Sequence, residues 1–172
     1  MRVYTGIGSR ETPIEVLEIF VNIGRYLGEQ GYTLRSGGAN GADLAFEIGC
    51  DQCNGKKEIY IPWYRFNNSD SLLFKIPQEA YNIASTIHPN WASLSESAKK
   101  LHARNCSQIL GQDLKTPTDF VICYTKYGKE IGGTAQALRL ARENNIKIFN
   151  VGSYSSIIEF KRDLFNYIKG IQ

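Results

Sequence analysis

The sequence lacks most features that would place it at a glance. No apolar run approaches the ~18 residues of a membrane-spanning segment, which excludes a transmembrane helix. Charge of one sign is scarce: 20 basic against 17 acidic residues leave a net +3. That excludes a strongly electrostatic nucleic-acid clamp and leaves room for a local basic patch. Cysteine and histidine are few, with four and two copies. Cys50 and Cys53 form a lone CxxC, and His88 and His102 supply no second pair at metal-site spacing, so no metal is expected. A GxGxxG turn would need glycine where Glu11 stands, and no Gly-Lys-Ser/Thr run follows four spacers. P-loop hydrolysis of ATP or GTP is therefore not expected. There is no low-complexity segment and no internal repeat. The opening residues, MRVYTGIGSR, read as strand and turn with no leader-type apolar core. Reduced thiols and a cytoplasmic setting are expected on that reading.

What is present is ordinary globular material. The 172 residues are 42% hydrophobic and 22% charged, enough to bury ~70% of the unfolded surface in one domain. The pattern is strand, glycine turn, helix, repeated. Residues 2–5 predict a first strand. Val16, Phe20, Ile23 and Leu27 predict a helix over about 13–30, with Gly31 as its stop. A second strand is predicted at 32–35, a helix over about 41–50, and a third strand at 58–61 ended by Pro62. The run 119–124 (DFVICY) is unbroken and apolar, as in a strand buried on both faces. A helix over about 132–144, a strand at 146–151 and an amphipathic helix over about 155–169 complete the chain.

The stretch from Pro62 to Pro117 breaks this rhythm. It opens on an irregular polar loop and ends in a helix over about 92–111. Leu94, Ala98, Leu101, Asn105 and Ile109 share one stripe of that helix, which turns Asn105 to the apolar side. A buried amide is costly unless bonded, so Asn105 should hold a loop or a ligand. The expected fold class is α/β: a Rossmann-like open, mostly parallel sheet of about five strands with helices on both faces. The expected organisation is a single domain over 1–172 with a helical insertion at about 62–117.

Three glycine-rich turns should lie on one sheet edge: Gly6-Ile7-Gly8-Ser9-Arg10, Ser36-Gly37-Gly38-Ala39-Asn40-Gly41-Ala42-Asp43, and Gly132-Gly133-Thr134. Each can aim free amides and a positive helix end at one place, a setting suited to phosphate. Arg10 can pair with a phosphate and Ser9 can donate to it. Asp43 can cap its helix or accept from a ribose hydroxyl. Glu47 lies one helical turn beyond Asp43. Arg104 can reach phosphates or form a surface pair. Trp63, Tyr64 and Tyr124 can stack on a base or simply pack.

These pieces, in this order, resemble the SLOG superfamily, which unites DNA-processing protein A with the Lonely Guy phosphoribohydrolases. The resemblance runs from residue 1 to about 151. It rests on Gly8-Ser9-Arg10, Ser36 to Asp43, Arg104-Asn105, and Gly132-Gly133-Thr134-Ala135-Gln136-Ala137. The stretch from Ser36 to Asp43 is the most specific. Small standalone members of this kind are familiar from phage genomes, where they are often labelled DprA-like.

The resemblance implies binding of a nucleotide or nucleotide-derived signal, such as a cyclic nucleotide or an ADP-ribose-like molecule, with no further cofactor required. Two alternatives are implied with it: a single-stranded DNA-binding recombination mediator, and a nucleoside monophosphate phosphoribohydrolase-like glycosidase. Ala137 stands where the phosphoribohydrolase motif carries its catalytic glutamate, so binding without turnover is expected; Glu47 or Glu130 would have to substitute in an enzyme. Glu47 also replaces the histidine that follows the second motif in the DNA-processing branch. A homodimer or larger homo-oligomer is expected, with the helices at 92–111 and 155–169 as candidate contact faces.

Overall fold

A computed structural model describes all 172 residues, Met1–Gln172. Five strands form one sheet: β1 (Val3–Gly8), β2 (Thr33–Ser36), β3 (Lys57–Ile59), β4 (Phe120–Tyr124) and β5 (Lys147–Asn150). Their order is β3-β2-β1-β4-β5 and every pairing is parallel. The helices are α1 (Ile14–Glu29), α2 (Ala42–Gln52), α3 (Gln78–Ile87), α4 (Glu96–Leu110), α5 (Gly133–Glu143) and α6 (Ile157–Gly170). The architecture is the expected Rossmann-like α/β fold, all parallel.

The strands alternate their side chains between two cores. In β4, Phe120 and Ile122 enter the core made with α1, α2 and α6, whereas Val121 and Cys123 enter the core made with α3, α4 and α5. That two-sided burial explains the unbroken apolar run. The first core is aromatic: Phe20 stacks on Phe46 with centroids 4.2 Å apart, and Phe120 sits edge-on to Phe149 at 6.1 Å. α1 and α2 cross closely enough that a Cβ on Gly49 would lie 2.0 Å from the Val21 carbonyl oxygen. The second core is built largely from small residues, among them Ala80, Ala84, Ala103, Ala137 and Ala141. The segment 62–117 supplies two of the three helices on that face, α3 and α4.

Helix α4 is shorter than the 92–111 pattern. Ser95 caps it, accepting from the Ala98 amide at 3.2 Å, and Trp91–Ser93 forms a separate 3-10 turn. From Ala103 onward α4 is buried on every side, so its polar residues there must find partners inside the protein.

The chain runs from β1 outward through β2 to β3, then returns to build β4 and β5 on the other side. Strand order therefore reverses between β1 and β4, and ligands of open α/β sheets bind beyond the carboxyl ends at that place. Gly8 and Tyr124 are register partners there. The segments that follow them emerge side by side.

Candidate functional site

A cleft of about 710 Å³ opens at this reversal point, within the ~300–1,000 Å³ of small-molecule sites. Its walls come from the turn after β1 (Gly8, Ser9, Arg10, Glu11), from Ala39 and Asp43, from α4 (Leu101, Arg104, Asn105, Gln108), and from the segment Thr125–Thr134. All three glycine turns contribute to it, but not equally.

The first turn is held by the end of β4 and by the Ser9 hydroxyl. The Ser9 amide donates to the Tyr124 carbonyl at 3.0 Å, and the Ser9 hydroxyl accepts from the Glu11 amide at 3.0 Å. Arg10 is exposed, has no ion-pair partner, and its amide has no partner in the protein. The second turn already holds an anion, the Asp43 carboxylate. One Asp43 oxygen accepts from the Gly8 amide at 3.2 Å and the other from the Ala39 amide at 3.3 Å. Asp43 thus does not cap its own helix, whose start carries no side-chain cap; it bridges the first turn to the second. Burial pushes its carboxyl up to about 6, against the pull of the Arg104 charge and the amides. Gly41 makes this packing possible. Its φ is +84°, and a Cβ there would lie 2.7 Å from the Ser9 carbonyl oxygen.

The third turn is open. Gly132 precedes α5 without a side-chain cap, and the amides of Gly132, Gly133 and Thr134 have no partner in the protein. The positive end of α5 therefore faces the cleft with its donors free.

Arg104 and Asn105 tie the second turn to the third. The buried Arg104 guanidinium donates to the carbonyl oxygens of Gly37 and, at 3.0 Å, Tyr60, and its Nε donates to Asn105 Oδ1 at 3.0 Å. Asn105 Nδ2 donates to the Gly133 carbonyl at 2.8 Å. Burial lowers the Arg104 pKa to about 10, opposed by Asp43, so it stays charged at neutral pH. The inward Asn105 is thus bonded to a loop. A Cβ on Gly37 would strike Gln108 at 2.1 Å, which explains that glycine by close approach.

Other expected residues lie elsewhere. Gly6 is buried against Phe46, and Ser36 is buried with its hydroxyl donating to the Gly6 carbonyl at 2.6 Å. Tyr124 packs on the first core. Gly38, Asn40 and Glu47 border a second cleft beside β3. Glu47 pairs with Lys57 at 2.9 Å, and Glu130 pairs with Arg142. Trp63 is not in the main cleft; it sits edge-on to Phe66 at 5.3 Å, and Phe66 lines the wall, with the Arg104 guanidinium 5.7 Å from its centroid.

Several wall residues were not singled out from the sequence: Glu11, Gln108, Thr125, Lys126, Tyr127, Lys129 and Ile131. Lys126, Tyr127 and Lys129 are exposed on the rim, and Tyr127 holds a φ of +56°. Their signal was available in the basic and aromatic run between β4 and the third turn. With Arg10 and Arg104, the two lysines place four basic groups around the cleft against the two acidic groups Glu11 and Asp43. The four cysteines are free thiols, and burial pushes Cys50 up to about 11 and Cys106 to about 12. No helix is long and apolar enough to cross a membrane.

No protein-family model and no curated protein matches the chain. Solved structures do match. DNA processing protein A from Helicobacter pylori, described for its single-stranded DNA binding mode, aligns at 21% identity with a TM-score of 0.56, over 87% of this chain and 64% of its own. The molybdenum cofactor carrier protein of Chlamydomonas reinhardtii aligns at 15% identity with a TM-score of 0.53, over 99% of this chain and 87% of its own. At these identities the likeness is one of fold: the chain has a DNA-processing-protein-A-like α/β fold. It spans just under two thirds of the Helicobacter protein.

Proposed function

We propose that the chain binds a nucleotide or nucleotide-derived signalling molecule in this cleft, with phosphate on the third turn, and does not turn it over. The observation that carries the reading is the contrast between the glycine turns. The Gly8 and Ala39 amides are taken up by Asp43, whereas the Gly132, Gly133 and Thr134 amides at the start of α5 are free. Arg10, Lys126 and Lys129 on the rim suit the same negative charge. Phe66, Leu101 and Ile7 give the cleft an apolar wall for a base. Binding without turnover is favoured because Glu47 and Glu130 are paired outside the cleft, and Asp43 is committed to amides.

A second reading, single-stranded DNA binding, is favoured by the Helicobacter DNA-binding protein and by the exposed Tyr127 between two lysines. Basic grooves with stacking aromatics hold single strands.

A thermal-shift panel of nucleoside mono-, di- and triphosphates, cyclic nucleotides and ADP-ribose separates the readings. A ligand at ~100 times its dissociation constant adds ~2.7 kcal/mol of stability. Stabilisation by a member of the panel is expected. No shift with any nucleotide, together with DNA affinity that falls steeply with salt, would replace the first reading by the second.

A further inference from the structure

A second cluster of polar side chains lies where the end of α3 meets α4 and α5, and none of it lines the glycine-turn cleft. The rings of His88 and His102 are 4.6 Å apart, and His88 also faces Trp91 at 6.5 Å. Arg139 is brought beside them by a chain of bonds. Its Nη2 donates to Gln136 Oε1 at 3.4 Å, and Gln136 Nε2 donates to the Ala84 carbonyl at 3.2 Å. The His88 amide donates to that same carbonyl at 2.9 Å.

The cluster is incomplete. Arg139 Nε and His102 Nδ1 are both buried without a hydrogen-bond partner, a costly state for two donors or acceptors. None of the protein's ion pairs includes Arg139. The charged groups around the rings are nearly all cationic. Arg139 on α5 bears on both histidines, and Arg104 on α4 bears on His102. Lys99 on α4 lies 5.9 Å from the Trp91 centroid, and the acid near it, Glu96, pairs with Lys99 at 3.6 Å. Burial and these charges hold both imidazoles neutral, with His102 pushed down to about 4.

We propose that this cluster is an oxyanion site, in which Arg139 supplies the fixed charge and the histidines take up a proton from solvent as the anion binds. An anion beside the guanidinium gives Arg139 the ion-pair partner it lacks, and a protonated His102 gains the counter-charge that the protein lacks. Carboxylate and phosphate share this chemistry, and the site takes either from a small molecule or a partner.

The test follows the imidazole Hε1 resonances of His88 and His102 by NMR from about pH 4 to 8. The whole protein is titrated in sodium chloride, in sodium acetate and in sodium phosphate, at matched ionic strength. The His102 midpoint should rise by about one pH unit in acetate or phosphate relative to chloride, as an opposite charge at close range gives. The anion with the larger rise names the source as carboxylate or phosphate. Arg139→Gln should abolish the rise. Gly133→Val, which alters only the glycine-turn cleft, should keep it. Equal midpoints in all three salts overturn the proposal, and the unmodified protein alone decides that. So does a rise that survives Arg139→Gln, or one that disappears in Gly133→Val, because the anion would then be acting from the other cleft.

Discussion

Replacing Arg104 by Met keeps the side-chain bulk and removes the charge that braces the turns. The carbonyls of Gly37 and Tyr60 lose their donor, and Asp43 stays buried without its cation. Each buried group left without its partner costs ~1–3 kcal/mol, so with two carbonyls orphaned a loss of about 4 kcal/mol is expected from a total of ~5–15. For a chain of this length that lowers Tm by roughly 8–16 °C.

The loss should depend on pH with a definite sign. The folded Asp43 pKa, about 6, lies above the ordinary carboxylate value. Its ionised form therefore costs the fold stability, and the cost is relieved as pH falls through 6. Without Arg104 the carboxyl rises further and takes up its proton sooner. The deficit of Arg104→Met should be largest near pH 7.5 and shrink near pH 5, on either side of the Asp43 midpoint of about 6. Urea unfolding followed by circular dichroism at both pH values measures it. A deficit under about 1 kcal/mol, smaller than a single buried charged hydrogen bond, or one equal at both pH values, would refute the brace.

Four further outcomes are expected. Gly133→Val should leave the circular dichroism spectrum unchanged, since a Cβ there meets nothing within 4 Å, and calorimetry should show at least about tenfold weaker binding of a phosphorylated nucleotide (~1.4 kcal/mol). Arg10→Ala should weaken a nucleotide more than the matching nucleoside in the same calorimetric assay; equal weakening denies the phosphate contact. Glu47→Gln and Glu130→Gln should leave nucleotide affinity within about twofold, because both carboxylates are surface pairs outside the cleft. Burial and nearby charges push the His102 pKa down to about 4 from 6.5, so its neutral form stabilises the fold at high pH and, in chloride buffer, that stability should be lost as pH falls from 6.5 towards 4. His102→Gln should flatten this part of the stability profile in thermal unfolding, and an unchanged slope would deny it.

Much of the framework was legible because glycine and proline punctuate it. Gly31, Gly41 and Gly132 each take positive φ at an element boundary, and the pattern marked those places. Helix α3 was not legible, since its buried residues are Ala80 and Ala84, too small to write a hydrophobic period. The stripe on α4 correctly turned Asn105 inward, yet its bond to Gly133, 28 residues away, is a tertiary fact. The turns were legible as glycine-rich strand-to-helix connections on one sheet edge, but the sequence does not say that Asp43 takes up amides of two of them from within. That depends on β1 and α2 meeting so that Gly8 and Ala39 share one carboxylate. Likewise Lys57 draws Glu47 to the β3 edge, and Phe66 takes the wall position that Trp63 offered from the same loop.

Anion binding in the cleft turns on which glycine turn has free amides. Amide 1H–15N shifts of the whole protein, recorded while AMP is added, test that directly. The Gly132, Gly133 and Thr134 amides should move as the nucleotide saturates, while the Gly8 and Ala39 amides, held by Asp43, stay in place. Movement confined to Gly8 and Ala39, with the third turn unmoved, would contradict it.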